Sequence, residues 1–285
     1  MPLDEAWIAL SLVPRIGNKT IDALLSTFGS SDAILSTSKD DLITIRGIGK
    51  KTAQAIHELD RDAFRRALDT WQAAGIQIVT RDDPNYPTSL REIPDPPLTL
   101  FVRGTHQPEQ WQPAVAIVGT RQPTPMSLAI ARQLGTGYAE KGWTVISGLA
   151  LGIDSAGHQG ALVARTTPTL AILGSGVLNI YPSENYLLAE QILDRDGALI
   201  SENAPDATPL ATRLVTRNRI ISGLCQRVIV VQTDSDGGAM HAAKASLAQG
   251  RDLFTIDWQF TGNQALLELG AQPIKPHQLM IPSAR

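Results

Sequence analysis

The residues with chemical potential stand at the ends of apolar runs. Gly119-Thr120-Arg121 follows AVAIV, Ser147-Gly148 follows WTVI, and Gly174-Ser175-Gly176 follows LAIL and leads on to Tyr181, Ser183 and Asn185. Ser201, Glu202 and Asn203 follow ALI, and Asp234-Ser235-Asp236-Gly237-Gly238 follows RVIVVQT. Glycine and serine let a backbone approach a ligand closely, and free N–H groups at helix starts attract anions. Arg121 adds positive charge, as does the acid-free window 207–227, which carries Arg213, Arg217, Arg219 and Arg227. One such tip only turns the chain. Five of them together with arginines predict a seat for phosphates.

Other chemistries lack their residues. The first tip reads GTRQPTPMS rather than G-x-G-x-x-G, and the second run ends in ISGLA with no acid for a ribose hydroxyl, which argues against a nicotinamide cofactor. There is no Gly-Lys-Ser/Thr phosphate loop and no G-x-S-x-G elbow. His57, His106, His158, His241 and His277 form no ligand pair, and Cys225 is the single cysteine, so neither a metal centre nor a disulfide framework is expected. His158 and His241 read as helix-packing groups and Cys225 as an inert core thiol. Glu202 and Asp154 read as carboxylates that orient arginines or cap helices. No cofactor, metal or catalytic residue is expected.

The elements that must position these tips alternate from Pro113 onward. AVAIVG, WTVISG, LAILG, ALISE, RVIVVQT and DLFTID read as strands buried on both faces, with helical segments between them. Gly142, Gly197 and Gly250 each follow a helical run as a stop. The alternation predicts an α/β fold, a doubly wound and mostly parallel sheet, with ligands beyond the carboxyl ends of its strands. Residues 76–112 read as a connector: IQIVT and LTLFV add strands, and six prolines fall from Pro84 to Pro108. Residues 1–75 read as short helices with an internal repeat, Val13-Pro-Arg-Ile-Gly-Asn-Lys-Thr and Ile45-Arg-Gly-Ile-Gly-Lys-Lys-Thr. The second copy fits a helix–hairpin–helix in which Gly47 and Gly49 expose N–H groups to a DNA phosphate and Lys50 and Lys51 add charge; the alternative is a purely structural hairpin that packs the small domain, or a protein contact. The first has Arg15 in place of the first glycine. Two domains follow, 1–75 and 76–285.

Composition sets the frame. The 285 residues are 43% hydrophobic and 19% charged, enough apolar content for a sizeable core. Net charge is −3, so a basic patch, not the whole surface, must serve any nucleic acid. No apolar run approaches the ~20 residues of a membrane span. Acids stand near the N-terminus where a signal peptide carries bases. A cytoplasmic protein with no membrane partner is expected.

The order of these tips resembles the DNA-processing protein A (DprA/Smf) family over about residues 5–272. The resemblance rests on AIVGTR (116–121), VISGLALGID (145–154) with His158 and Ala161-Leu162, ILGSGVLNIYPSEN (172–185), LISE (199–202), TRNRIISGL (216–224) and GGAMHAAKASLAQGRDLF (237–254). The tandem hairpin and the P-x-Y-P-x-x-L segment from Pro84 to Leu90 agree. It implies a small SAM-like helical domain followed by an extended Rossmann-like domain. It implies a non-enzymatic single-stranded DNA-binding homodimer that protects incoming DNA and loads RecA recombinase in natural transformation. Carried over by position, the family's arginine after Gly-Thr falls on Arg121, its Arg-Asn-Arg on Arg217, Asn218 and Arg219, and its small-residue loop on Ser147 to Asp154.

Several positions depart from the family pattern. Ser183 stands where a basic DNA contact is usual, Leu214-Val215 replaces Phe-Pro, Asp236-Gly237-Gly238 and His241 replace a serine–threonine tip, and Asp257-Trp258 replaces Pro-Gly. No C-terminal winged helix is expected after GAQPI. One cation fewer and one acid more should weaken phosphate binding. The competing reading is a nucleotide sensor or nucleotide-processing enzyme on the same scaffold. Phosphoribohydrolases of this kind carry a glutamate where Lys244 stands, and a lysine cannot replace that carboxylate.

Overall fold

The structure, a computed structural model, describes residues 3–105, 107 and 110–275. His106, Pro108, His277 and the chain beyond 275 lie outside the described residues. The N-terminal quarter is helical: α1 (Glu5–Ser11), α2 (Asn18–Phe28), α3 (Ser31–Leu35), α4 (Lys39–Ile43), α5 (Lys50–His57) and α6 (Arg61–Ala73). Side-chain oxygens of Asp4, Ser30, Ser38 and Asp60 accept from first-turn N–H groups and start four of them. The other two begin at Gly17 and Gly49 with no side-chain cap.

The rest alternates. The connector supplies β1 (Ile76–Thr80), α7 (Thr88–Arg91) and β2 (Thr99–Gly104). Then come β3 (Ala114–Val118), α8 (Pro125–Glu140), β4 (Thr144–Ser147), α9 (Ile153–Ala164), β5 (Thr169–Ile172), α10 (Tyr186–Leu193) and β6 (Ala198–Ser201). The chain continues through α11 (Ala211–Thr216), α12 (Asn218–Gly223), β7 (Arg227–Val230), α13 (Ala239–Ala248), β8 (Asp252–Ile256), α14 (Thr261–Glu268) and β9 (Gln272–Ile274). One sheet runs in the order β1-β2-β6-β5-β4-β3-β7-β8-β9. Strands β3 to β9 pair in parallel, whereas β2 pairs antiparallel with both β1 and β6, Phe101 opposite Ser201.

Alternation assigns the faces. Leu100 and Val102 of β2 join Ala116, Val118, Ile172 and Val230 on the face covered by α12, α13 and α14. Val115, Ile117, Val145 and Ile229 pack under α8 and α9 on the other face. There Phe101 points the opposite way from its neighbours and meets Trp71 edge-on, ring centroids 5.5 Å apart. The helical quarter therefore shares its core with the sheet: Trp7, Leu24, Ile56 and Trp71 belong to one cluster with Ile78, Phe101, Leu173 and Leu188. Each such buried aliphatic or aromatic side chain contributes roughly 1.5–3 kcal/mol. Trp7 Nε1 donates to Leu98 O at 3.1 Å, and Arg81 donates to Asn18 and Asp22 across the same seam.

All six expected strands after Pro113 are present. The helical stretch around RLVTRNRIISGL is two helices, broken at Arg217. Gly142 (φ 78°) and Gly250 (φ 67°) end their helices in the left-handed region; near the third stop the left-handed residue is Asp196 (φ 58°), not Gly197. Cys225 is buried, and burial pushes its thiol pKa up. No helix among the described residues is long and apolar enough to cross a membrane.

Candidate functional site

Strand order reverses at β3, which has β4 on one side and β7 on the other. Doubly wound sheets hold ligands at such a point, beyond the carboxyl ends. A cavity of about 510 Å³ opens there, lined by Gly119, Thr120 and Arg121 after β3, by Asp234, Gly237 and Gly238 after β7, and by Asn218. A second, of about 310 Å³, adjoins it, lined by Gly148, Leu151, Tyr181, Pro182, Ser183 and Glu184. Arg121, Ala150, Leu214 and Arg217 line both. Arg121 is exposed, and none of the ion pairs among the described residues includes it.

The turn from Gly148 to Gly152 borders the cavities: Gly148, Ala150 and Leu151 line the smaller, and Ala150 lines the larger as well. Leu149 (φ 59°) and Gly152 (φ 83°) are both left-handed. A β-branched or bulky residue rarely holds that conformation unless its surroundings fix it. Here they do. Asp154 Oδ2 accepts from Gly148 N at 3.0 Å and Ala150 N at 3.4 Å, and Arg217 Nη1 donates to Gly148 O and Ile172 O. Asp154 is 4% exposed and Arg217 5%. Burial raises the Asp154 carboxyl pKa, opposed by Arg217 and by the two amides. Burial likewise lowers Arg217, with Asp154 raising it and Arg121 lowering it further.

The expected site residues divide into a lip and a layer beneath it. Gly119, Thr120, Arg121, Gly148, Tyr181, Ser183, Arg217, Asn218, Gly237 and Gly238 reach the cavities, Gly148 and Arg217 from their floor, since both are buried. Ser147 is fully buried and donates to Ile117 O, and Ser175 is closed off under Ser201. Gly174 and Gly176 are buried against Leu214 and against Ala204 and Pro205, so the third tip is covered by chain rather than open. Asn185 is buried too; its amide donates to Leu149 O and Ser155 Oγ and ties α10 to the turn. None of these five lines either cavity.

Arg219 lies elsewhere. Its guanidinium makes a two-pronged pair with Glu202, at 2.9 and 2.7 Å, and donates to Asp95 at 3.1 Å, beside a separate small cavity next to Gly17 and Asn18. Glu202 thus orients an arginine, as its position after a strand suggests. The two hairpins also differ. Arg15 (φ 71°) takes the left-handed conformation that Gly47 (φ 96°) takes in the second copy. Asn18 of the first donates to Asp95 Oδ1 and Pro96 O and is docked. Gly47, Gly49, Lys50 and Lys51 of the second are exposed.

The apolar side of the lip is not marked in the sequence. Leu151, Leu214 and Val215 line the cavities, whereas Tyr186, 52% exposed at the start of α10, lines neither. Apolar residues in short runs look like core, so no pattern marks them as surface.

The fold and the lip define a ligand-holding Rossmann-like protein whose crevice presents an arginine, small residues and exposed tyrosine. The chain belongs to the family described as DNA recombination-mediator protein A, which matches residues 77–283. A SAM-like helix-hairpin-helix tandem matches residues 8–58. The chain is 32% identical over 279 residues to DNA processing protein DprA of Bacillus subtilis, covering 95% of this chain and 93% of that one. The X-ray structure of DNA processing protein A from Streptococcus pneumoniae superposes with a TM-score of 0.81 at 26% identity, covering 100% of this chain and 99% of that one. DNA processing protein A from Helicobacter pylori, solved for its single-stranded DNA binding mode, gives 0.62 at 30% identity over 70% of this chain and 91% of that one.

Proposed function

We propose that this chain binds single-stranded DNA along the lip and acts as a recombination mediator. The observation that carries the reading is Arg121: an exposed guanidinium, free of carboxylates among the described residues, where two cavities meet at the switch point. The phosphate backbone passes Arg121 and the Gly237–Gly238 tip. Bases meet Tyr181, 38% exposed, and Tyr186. Phosphate contacts of this kind position a strand without reading its sequence. The named binding mode of the Helicobacter pylori relative supports the choice of ligand. Exposed Lys50 and Lys51 of the second hairpin provide a further phosphate contact. The protein works as a homodimer in the cytoplasm and passes its strand to a RecA-type recombinase; it acts by binding rather than by catalysis.

Fluorescence anisotropy with oligo-dT of increasing length, a duplex and dTMP tests the ligand. Affinity that rises with single-strand length and exceeds that for duplex supports the reading. Tightest binding to the mononucleotide, with no gain on lengthening, overturns it in favour of a nucleotide sensor.

A further inference from the structure

We infer that Arg217 and Asp154 form an internal clamp that positions Arg121, and that neither touches the bound strand. This rests on the reading of the lip as the seat of single-stranded DNA. The guanidinium of Arg217 has little left to offer a ligand. Nη1 is committed to two carbonyls, Nε donates to Asn218 Oδ1 at 3.2 Å, and Nη2 faces Asp154 Oδ2 at 3.9 Å. A phosphate approaching Nη2 would come up against the carboxylate of Asp154, which two backbone amides and the guanidinium hold in place. Those amides, at Gly148 and Ala150, are the ones a small-residue loop would otherwise turn toward an anion. The protein's own carboxylate fills that position.

The clamp works through the turn. The Gly148 N–H faces Asp154 and its C=O faces Arg217, so one peptide unit on each side is gripped by opposite charges. The far end of the turn carries Arg121: Ile153 N donates to Thr120 O at 3.2 Å, and a side-chain carbon on Gly152 would lie 3.0 Å from the Arg121 carbonyl carbon. Thr120 and Arg121 therefore rest on a turn in which Leu149 (φ 59°) holds a conformation costly for a bulky side chain, between the two residues, Gly148 and Ala150, that the clamp grips. A lysine at 217 keeps the charge but loses the planar fork that reaches two carbonyls and a carboxylate together.

The test is a double-mutant cycle on oligo-dT affinity, each protein assayed below its own melting temperature. Arg217→Lys should weaken binding about tenfold in the wild-type background and less than about twofold in Arg121→Ala, because residues acting through one another are not additive. The variant Asp154→Asn/Arg217→Gln, which removes both buried charges together, should show the same pattern if Arg217→Lys folds poorly. Equal fold-losses in both backgrounds would mean that Arg217 meets the strand itself, and an Arg217→Lys protein with wild-type affinity would remove the clamp from the mechanism. Loss of the clamp's effect is distinguishable from failure of the lip, for in the latter case Arg121→Ala alone leaves affinity unchanged.

Discussion

The guanidinium of Arg217 occupies the space that a side chain on Gly148 would fill. This close approach requires glycine for its lack of a Cβ rather than for a special backbone angle. Gly148→Ala should drive the guanidinium off its carbonyls and leave Asp154 buried without its partner. Breaking a buried pair in this way costs about 3 kcal/mol. Urea unfolding should show a lower midpoint, and an unchanged midpoint would mean that the guanidinium relocates freely.

Arg219 should behave as a structural residue. Its pair with Glu202 is mostly shielded, with side chains 17% and 22% exposed, whereas Asp95 is 60% exposed and contributes little. Arg219→Ala is expected to lower stability by about 2 kcal/mol while the salt dependence of DNA binding keeps its wild-type slope. A shallower slope would place Arg219 on the strand.

The second hairpin separates two substitutions. Gly49 (φ −92°) has open space around its Cβ direction, whereas Gly47 is left-handed, so Gly49→Ala is tolerated and a change at Gly47 is strained. The double variant Lys50→Ala/Lys51→Ala should melt at the wild-type temperature and reduce the salt slope by about 0.7 for each phosphate that the lysines neutralise. An unaltered slope would leave the hairpin a packing role.

Acid should destabilise the protein through His158. Thr169 Oγ1 donates to Val145 O, so it accepts from His158 Nδ1 at 2.8 Å, and Nε2 is buried with no partner among the described residues. Burial first, and Arg217 second, lower its pKa to about 3. The unfolded chain binds a proton near pH 6.5 that the native state refuses, so stability is full above that pH and is lost as pH falls toward 3. At pH 5 the loss is about 2 kcal/mol. Urea unfolding at about pH 7.5 and about pH 5 should show it in the wild type and show less of it in His158→Asn; an equal pH dependence in both would assign the effect to other groups.

Much of the fold is legible because burial on both faces leaves continuous apolar runs, as in AVAIV and RVIVV. Strand β9 is not, since Gln272-Pro273-Ile274 is short and carries a proline. Helix α4 buries only Leu42, too little to show a period, and α7 is a single turn. The lip is visible as small residues after strands with Arg121 among them. Its depth is not. The carbonyls that hold Arg217 belong to Gly148 and Ile172, far away in sequence, so nothing local separates an arginine that faces solvent from one that is buried. Arg217 and Arg219, two residues apart, end in different places because α12 turns one toward the crevice and the other toward Glu202.

The role of the lip as a phosphate seat is tested most directly by the salt dependence of oligo-dT affinity in the wild type and in Arg121→Ala. The variant should bind more weakly, and its plot of log affinity against log salt should be shallower by about 0.7, one phosphate fewer. Two superimposable lines would contradict it, leaving a shared scaffold whose strand, if any, lies on another surface.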